Sequence, residues 1–526
     1  MRRTAQIARL AARSIAARRM PIDRPGASAS APVRPNLVSA ARAPILAPQT
    51  PLARRGLSMS SKGLAGADGG QEGEVLEKLR GVIDPDLKRD IVDCGFIKDL
   101  KIEGGKVSFM LELTTPACPV KEEFKKDSTR LVSELPWVES VSVSISSRKR
   151  THKPSAEGGD MKRNAGCPGL KDVQRIIAVS SGKGGVGKST VAVNLAYSIA
   201  RLGGKVGIID ADIFGPSLPT MVAPASTRIS LSKDNEAMLA PLEHDGVKLM
   251  SYGYTAKATK EGAAVMRGPM ASNTMHQLIA YTDWGYLDYL IIDMPPGTSD
   301  IHLTLGQELT MDGAVIVTTP QRLSYVDVVK GIEMFDTMKV PILGLVQNMA
   351  YFNCSCGKKH LPFGPGHGQK LIELYGIPAS VSLPIQSDIS EHGDSGSPYV
   401  TSRKGSEVDG TYAELASAVV QQLSKLAEGQ HDIPLVEYEP KASVVKVTPS
   451  KGEGRSFSPK SLRDACRCAG CQATEKAAGT MRTPPAPADV IPVDMSPKGR
   501  YAINIDWSDG HSSIFTYAQL EAHEGA

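Results

Sequence analysis

The chain is predicted to be an α/β protein: a doubly wound, mostly parallel sheet, flanked by a small α+β domain and a small β-rich domain. Three observations carry this prediction. The apolar run Ile176-Ile177-Ala178-Val179 has the length of a buried strand and opens directly into a glycine-rich stretch, Ser180 to Thr190. Two further apolar runs each end in an aspartate, Val206 to Ile209 (after Lys205) at Asp210 and Leu290 to Ile292 at Asp293. Helical stretches separate these runs, and strands alternating with helices wind into a parallel sheet.

The glycine-rich stretch has a direct chemical reading. Residues 182 to 190 are Gly-Lys-Gly-Gly-Val-Gly-Lys-Ser-Thr, and Gly182, Gly187, Lys188 and Ser189 satisfy the spacing G-x-x-x-x-G-K-[ST]. Gly182, Gly184, Gly185, Val186 and Gly187 are expected to aim successive backbone N–H groups into one concavity. Lys188 can reach the β- and γ-phosphates, and Ser189, with Thr190 beside it, can ligate Mg²⁺. Val191, Ala192, Leu195, Ala196, Ile199 and Ala200 then recur at helical spacing, so a helix N-terminus adds its field at the phosphates. This is a nucleotide site.

Asp210 and Asp212 fall at the carboxyl edge of the predicted sheet, where ligands of doubly wound folds bind. One carboxylate there can hold the Mg²⁺ shell while the other orients the attacking water. Asp293 ends its strand in the Walker B arrangement, contacting Mg²⁺ directly or through water. Pro295-Pro296-Gly297 then imposes a tight loop near the γ-phosphate, suited to sensing hydrolysis. Gly313 to Pro320 and Ile342 to Met349 continue the strand pattern.

Lys183, directly after the first glycine, makes Gly-Lys-Gly-Gly-Val-Gly-Lys-Ser-Thr resemble the deviant Walker A loop of the dimeric MinD/Mrp/ParA ATPase class. The resemblance implies a homodimer in which Lys183 crosses to the partner's nucleotide. Asp210-Ala211-Asp212 followed by Ile-Phe-Gly-Pro-Ser looks like the Mrp switch I, which assigns Asp212 to water activation and Asp210 to its support. Asn348 matches the position that contacts adenine in that family. Cys354-Ser355-Cys356 stands where Mrp-type (ApbC-like) iron–sulfur carriers have C-x-x-C, and in them the two cysteines of each protomer complete a shared [4Fe–4S] cluster. The C-x-C spacing departs from that pattern. It leaves three arrangements open: a bridging cluster, a zinc site using Cys354, Cys356 and either His360 or His367, or unligated thiols.

Composition frames the flanks. The 526 residues carry a formal charge of +5, but residues 1–67 hold eleven arginines, one lysine and the single acid Asp23. That segment is therefore +11, and subtracting it from +5 leaves a mildly acidic −6 for the rest. The basic balance thus implies no nucleic-acid partner. Arg-rich, acid-poor composition over 1–67 reads as a transit peptide, chloroplast or mitochondrial, with an uncleaved basic tail as the alternative. No stretch approaches the ~18 uninterrupted apolar residues of a membrane span, so a soluble chain without a membrane partner is expected. Eight cysteines without a secretory signal point to thiols that bind metal or react.

Residues 72–146 are expected to form a compact α+β unit. Val75, Leu76, Leu79 and Val82 suggest a helix, and Phe96 to Ile102 and Val107 to Leu113 read as strands joined at Gly104-Gly105. Asp84-Pro85, Asp90-Ile91-Val92-Asp93 and Thr-Thr-Pro-Ala-Cys-Pro resemble the SufT-like domain of iron–sulfur assembly proteins. That resemblance makes Cys118 the functional thiol, an iron–sulfur ligand or a reactive thiol at a helix N-terminus, with a buried structural cysteine as the alternative. Residues 147–171 and 430–456 read as linkers around an ATPase domain at 172–429, and residues 457–526 as a third domain. There Cys466, Cys468 and Cys471 need a fourth ligand for tetrahedral zinc. His511 fills that place by resemblance to the N-terminal zinc domain of gamma-butyrobetaine hydroxylase, with a second iron–sulfur site or free thiols as the alternatives.

The three modules in this order resemble the family of plastid scaffolds of the high-chlorophyll-fluorescence type. The resemblance implies an ATPase that binds a [4Fe–4S] cluster and transfers it to apoproteins, with ATP, Mg²⁺, the cluster and Zn²⁺ as cofactors. Upstream cluster donors and recipient apoproteins would be its partners. The chloroplast stroma is the expected compartment and the mitochondrial matrix the alternative. A ParA/MinD-like positioning ATPase or a small-molecule P-loop enzyme would share the loop but leave the cysteines unused.

Overall fold

The computed structural model describes residues 70–85, 89–113, 115–147, 164, 166–256, 268–297, 300–427, 434–448, 454–466, 486–498 and 502–522. Residues 1–67, expected to be a transit peptide, and Thr298, Cys468 and Cys471 lie outside the described residues.

The first domain packs helices α1 (Gln71–Leu79) and α2 (Lys121–Ser133) on strands β1 (Ile97–Glu103), β2 (Lys106–Leu113) and β3 (Ser140–Ser147). β1 and β2 are antiparallel, and the two-residue turn between them holds Gly104 at φ +53° and Gly105 at φ +81°. Positive φ at both central residues matches the right-handed twist of the strands, and glycine accepts it without strain. Val107, Phe109, Leu111 and Leu113 are buried on alternate positions of β2 and pack with Val75, Leu79, Phe124 and Val132. β3 joins β2 in parallel.

The central domain is a nine-stranded sheet between two helical layers. Its strands are β4 (Val173–Ser181), β5 (Val206–Asp210), β6 (Leu242–His244), β7 (Val247–Ser251), β8 (Leu287–Asp293), β9 (Gly313–Thr318), β10 (Ile342–Asn353), β11 (Lys359–His360) and β12 (Ser380–Pro384). The order is β11-β10-β9-β4-β8-β5-β7-β6, with β12 also paired to β10. β6 and β11 are antiparallel to their neighbours and every other pairing is parallel. Helices α3 (Lys188–Arg201) and α8 (Glu407–Ala427) cover one face. The other face carries α4 (Gly268–Ala280), α5 (Asp300–Glu308), α6 (Arg322–Thr337) and α7 (Gly368–Tyr375). β8 is buried along its whole length, as a parallel strand covered on both faces must be. β4 leads to β5 on one side, whereas β9 lies on its other side, so the end of β4 is a topological switch point.

The last domain stacks two three-stranded antiparallel sheets. One comprises β13 (Leu435–Glu439), β14 (Val444–Thr448) and β15 (Arg455–Phe457); the other comprises β16 (Pro492–Lys498), β17 (Ala502–Trp507) and β18 (Ser512–Thr516). Helix α9 (Pro459–Asp464) adds Leu462 to a core of Val445, Val447, Phe457, Ile505, Trp507 and Phe515. The expectation of a linker over 430–456 is therefore corrected: most of the described residues in that stretch are sheet. Val445 and Val447 alternate inward with period two, and the intervening Lys446 hides the pattern from composition alone. The end of the other expected linker also packs. Cys167 is buried, its Sγ 3.9 Å from His276 Nε2, and burial pushes its thiol up to about 11.

The first domain docks on the central one through the segment after β2. Ala117 enters the core beneath α3, and the Thr115 and Tyr289 hydroxyls are hydrogen-bonded in buried surroundings. Lys121 Nζ donates to Leu202 O at 2.6 Å, so an ammonium caps the carboxyl end of α3, where the helix field favours positive charge.

Candidate functional site: the nucleotide cleft and the cysteine hairpin

The phosphate loop leaves β4 at the switch point and enters α3 at Lys188. Its glycines are dictated by close approach. A side chain at Gly182 would meet Asp327 backbone at 2.4 Å, and one at Gly187, held at φ +84°, would meet Asn348 Nδ2 at 2.2 Å. Lys188 Nζ lies 2.5 Å from Asp293 Oδ1 and 3.3 Å from Ser189 Oγ, almost fully buried. Lys183 Nζ donates to Gln321 Oε1 at 3.2 Å. Gly297 N–H donates to Ser181 O at 3.1 Å, which lays the Pro295-Pro296-Gly297 loop against the start of the phosphate loop.

Asp293 and Asp210 face each other across β8 and β5 in direct register. Asp210 is fully buried and accepts N–H groups of Asp212, Ser217 and Leu218 at 2.9–3.0 Å. Burial, reinforced by the charge of Asp293, pushes its carboxyl up to about 7 against those N–H donors. Burial also raises Asp293, opposed by Lys188. Two buried carboxylates against one ammonium leave uncompensated negative charge beside the Ser189 hydroxyl, which fits a divalent cation. Asp212 is half-buried, and its Oδ1 accepts Gly215 N–H at 3.1 Å. It is the carboxylate of the pair more open to water.

Asn348, the residue expected at the adenine, bonds the phosphate loop through its amide. Its Nδ2 donates to Val186 O at 2.8 Å and its Oδ1 accepts Met349 N–H at 2.9 Å. Met349 takes φ +56°, a left-handed conformation uncommon outside glycine, and the pairing of β10 with β12 shifts between Gln347 and Tyr351. β10 runs on beyond this irregularity and turns into β11 through Cys354-Ser355-Cys356-Gly357. Cys354 N–H donates to Lys358 O and Gly357 N–H to Cys354 O, both at 2.9 Å, with Gly357 at φ +78°. The ligand atoms of Cys354, Cys356 and His360 all lie within 4.8 Å of one another. The Cys356 N–H reaches Cys354 Sγ at 3.5 Å, and this bond holds the Cys354 thiol below its ordinary value. His367 lies instead against the Tyr325 ring, the ring centroids 5.3 Å apart. Tyr351 anchors the hairpin, its hydroxyl donating to Glu407 Oε1 at 3.1 Å while Lys359 Nζ sits 3.5 Å over its ring. Around the tip, Phe352, Leu361 and Phe363 are 40–50% exposed.

Two other thiol positions stand apart. Cys118 follows β2 and precedes α2, beside the Tyr289 hydroxyl at the far edge of the sheet. Cys466 Sγ lies 3.3 Å from His511 Nε2, where burial and Arg463 lower the imidazole. Arg463 is itself paired with Asp509 at 2.9 Å. Sequence reasoning missed Gln321, the Tyr351–Glu407 anchor and the Thr115–Tyr289 contact. Each joins residues with no fixed spacing to betray it.

Loop, lysines and paired aspartates at one switch point define the class: a P-loop NTPase with a MinD/ParA-like fold. Residues 172–420 match the family model described as NUBPL iron-transfer P-loop NTPase. Residues 72–145 match that of an iron–sulfur cluster assembly protein, and 436–521 that of a gamma-butyrobetaine hydroxylase-like N-terminal domain. The chain is 44% identical over 476 residues to the Fe-S cluster assembly factor HCF101, chloroplastic, of Oryza sativa subsp. japonica, covering 90% of this chain and 86% of that one. The Arabidopsis thaliana protein of the same description is 45% identical over 458 residues, covering 86% and 83%. The iron-sulfur cluster carrier protein of Synechocystis sp. is 40% identical over 356 residues, 67% of this chain and 98% of that one. The chain belongs to the HCF101-like family of Fe-S cluster assembly factors, Mrp/ApbC-type P-loop NTPases with these two flanking domains.

Proposed function

We propose that this protein is an ATP-dependent carrier in the plastid stroma that takes a [4Fe–4S] cluster as cargo and delivers it to apoproteins. The observation that carries the reading is a single strand. β10 places Asn348 on the phosphate loop and, six residues on, Cys354 at the start of the cysteine hairpin. The left-handed Met349 between them is a point where the strand can change course.

In this reading two protomers close on MgATP, with Lys183 exchanging Gln321 for the phosphates of the partner's nucleotide. Lys188 leaves Asp293 for the β- and γ-phosphates, freeing that carboxylate for the Mg²⁺ shell beside Ser189. Asp212 orients water and accepts its proton as the oxygen attacks the γ-phosphorus and the bond to ADP breaks. Loss of the γ-phosphate relaxes the Pro295-Pro296-Gly297 loop and, through Val186 and Asn348, the strand that carries the thiolates. Cys354 and Cys356 of both protomers hold the cargo while the dimer is closed, and the exposed Phe352, Leu361 and Phe363 cover it. The lowered Cys354 thiol supplies thiolate for ligation. Cys118 serves as a separate thiol for cluster chemistry. Cys466 and His511, already adjacent, would hold a structural zinc together with Cys468 and Cys471, and that ion would staple the last domain. The names of the rice and Arabidopsis relatives and the arginine-rich segment 1–67 support the plastid address.

Anaerobic reconstitution tests the reading. The dimer is expected to gain four irons and four sulfides with sulfur-to-iron absorption, to pass them to an apoferredoxin-type acceptor, and to do so faster with MgATP. If Cys354→Ser leaves that absorption unchanged, the hairpin is not the cargo site.

A further inference from the structure

The hairpin holds more donors than a cluster shared between two copies requires. Four cysteines, two from each protomer, complete a [4Fe–4S] ligand set. His360 is then surplus, yet the fold brings it to the thiols. β11 sets it opposite Phe352 in the antiparallel register, and the left-handed Gly357 closes the turn that folds Cys356 back. The three ligand atoms are mutually within 4.8 Å.

That spacing has a preferred occupant. A tetrahedral ion with metal–sulfur bonds of about 2.3 Å and metal–nitrogen bonds of about 2.0 Å sets its ligands roughly 3.5–3.8 Å apart. The separations of Cys354, Cys356 and His360, at most 4.8 Å, exceed that spacing by no more than about 1.3 Å. Thiolates bound to two different irons of a cubane point away from each other and stand farther apart. Compact Cys₂His geometry therefore suits one ion, with the fourth position open, and the exposure of Cys356 and His360 leaves that position to solvent.

We propose that Cys354, Cys356 and His360 of a cluster-free protomer bind a single thiophilic divalent cation of the Zn²⁺ class. The inference rests on reading this hairpin as a metal-handling site and extends it to the interval between cargoes. The ion keeps both thiolates ligated and shielded from oxidation, and it leaves when the cluster claims the cysteines. His360 belongs to the single-ion state alone.

Co²⁺ is the probe, added anaerobically to metal-free full-length protein, with thiolate-to-cobalt absorption and d–d bands as readouts. His360→Ala is expected to take up one Co²⁺ per chain fewer than the wild type and to reach the same sulfur-to-iron absorption after cluster reconstitution. Cys354→Ala loses both. Unchanged circular dichroism and nucleotide binding in His360→Ala report that it folds, and the cobalt bound through Cys466 and His511 cancels in the difference. Unchanged cobalt uptake by His360→Ala overturns the proposal. Loss of the cluster absorption in that variant also overturns it, by making His360 a cluster ligand. A wild type that binds the extra Co²⁺ but never acquires cluster absorption sinks the carrier reading and leaves the single-ion site standing.

Discussion

Asn348→Ala tests the link between nucleotide and thiols most directly. The substitution removes the 2.8 Å bond to Val186 O and leaves Met349 N–H, at φ +56°, without its acceptor. A neutral hydrogen bond contributes about 0.5–1.5 kcal/mol net, so nucleotide affinity should fall about two- to twelvefold. The partner lost is loop backbone, so ATP and GTP should be weakened by the same factor. Releasing Met349 has a second consequence. A left-handed non-glycine residue costs about 1–2 kcal/mol, and without the Asn348 side chain the strand relaxes toward extended geometry. Cluster transfer should then proceed at one rate with or without MgATP. Fluorescent-nucleotide titration measures the first effect, and transfer to an apoferredoxin-type acceptor, followed by circular dichroism, measures the second. Weakening confined to ATP, or transfer that MgATP still accelerates, would refute the coupling through this bond.

Other outcomes follow from the same geometry. Lys183→Ala should still bind nucleotide as a monomer but lose ATP-driven dimerisation and about a thousandfold of hydrolysis, by analogy with residues supplied in trans to phosphoryl transfer; light scattering and phosphate release read the two. Burial and the charge of Asp293 push the Asp210 carboxyl up to about 7, well above the unfolded value of about 3.9, so the native state binds the extra proton between those limits. Its contribution to stability is therefore complete below about pH 4 and lost as pH rises through 7. Denaturant midpoints of the nucleotide-free protein should accordingly fall less from pH 5 to 8 in Asp210→Asn than in the wild type. Cys466→Ser should lose one zinc per chain by elemental analysis while sulfur-to-iron absorption at the hairpin is unchanged.

Much of the nucleotide cleft was legible because its chemistry is local. Gly182 to Ser189 must turn within a few residues, and Asp210 and Asp293 each end an uninterrupted apolar run. The Gly104-Gly105 turn was readable for the same reason. The docking of the first domain was not. Thr115 meets Tyr289 across 174 positions and Lys121 meets Leu202 across 81, and such ordinary residues carry no pattern at that range. Strands β13 and β14 were present in the alternation of hydrophobic positions but were obscured by charged neighbours. At the hairpin the motif named the cysteines. The choice between His360 and His367 depended on strand register, which the Gly357 turn sets in three dimensions.

The docking of the first domain has a consequence for traffic. Helix α3 has its amino end at the phosphates and its carboxyl end beneath Lys121, and β8 runs between Tyr289 and Asp293 in the opposite sense. Cys118 thus opens on one rim of the sheet and Cys354 on the other, with β8's seven residues spanning roughly 20 Å between the rims. No single cluster can touch both thiols of one protomer. On the function proposed above, passage of a cluster between these two thiols would require a second molecule.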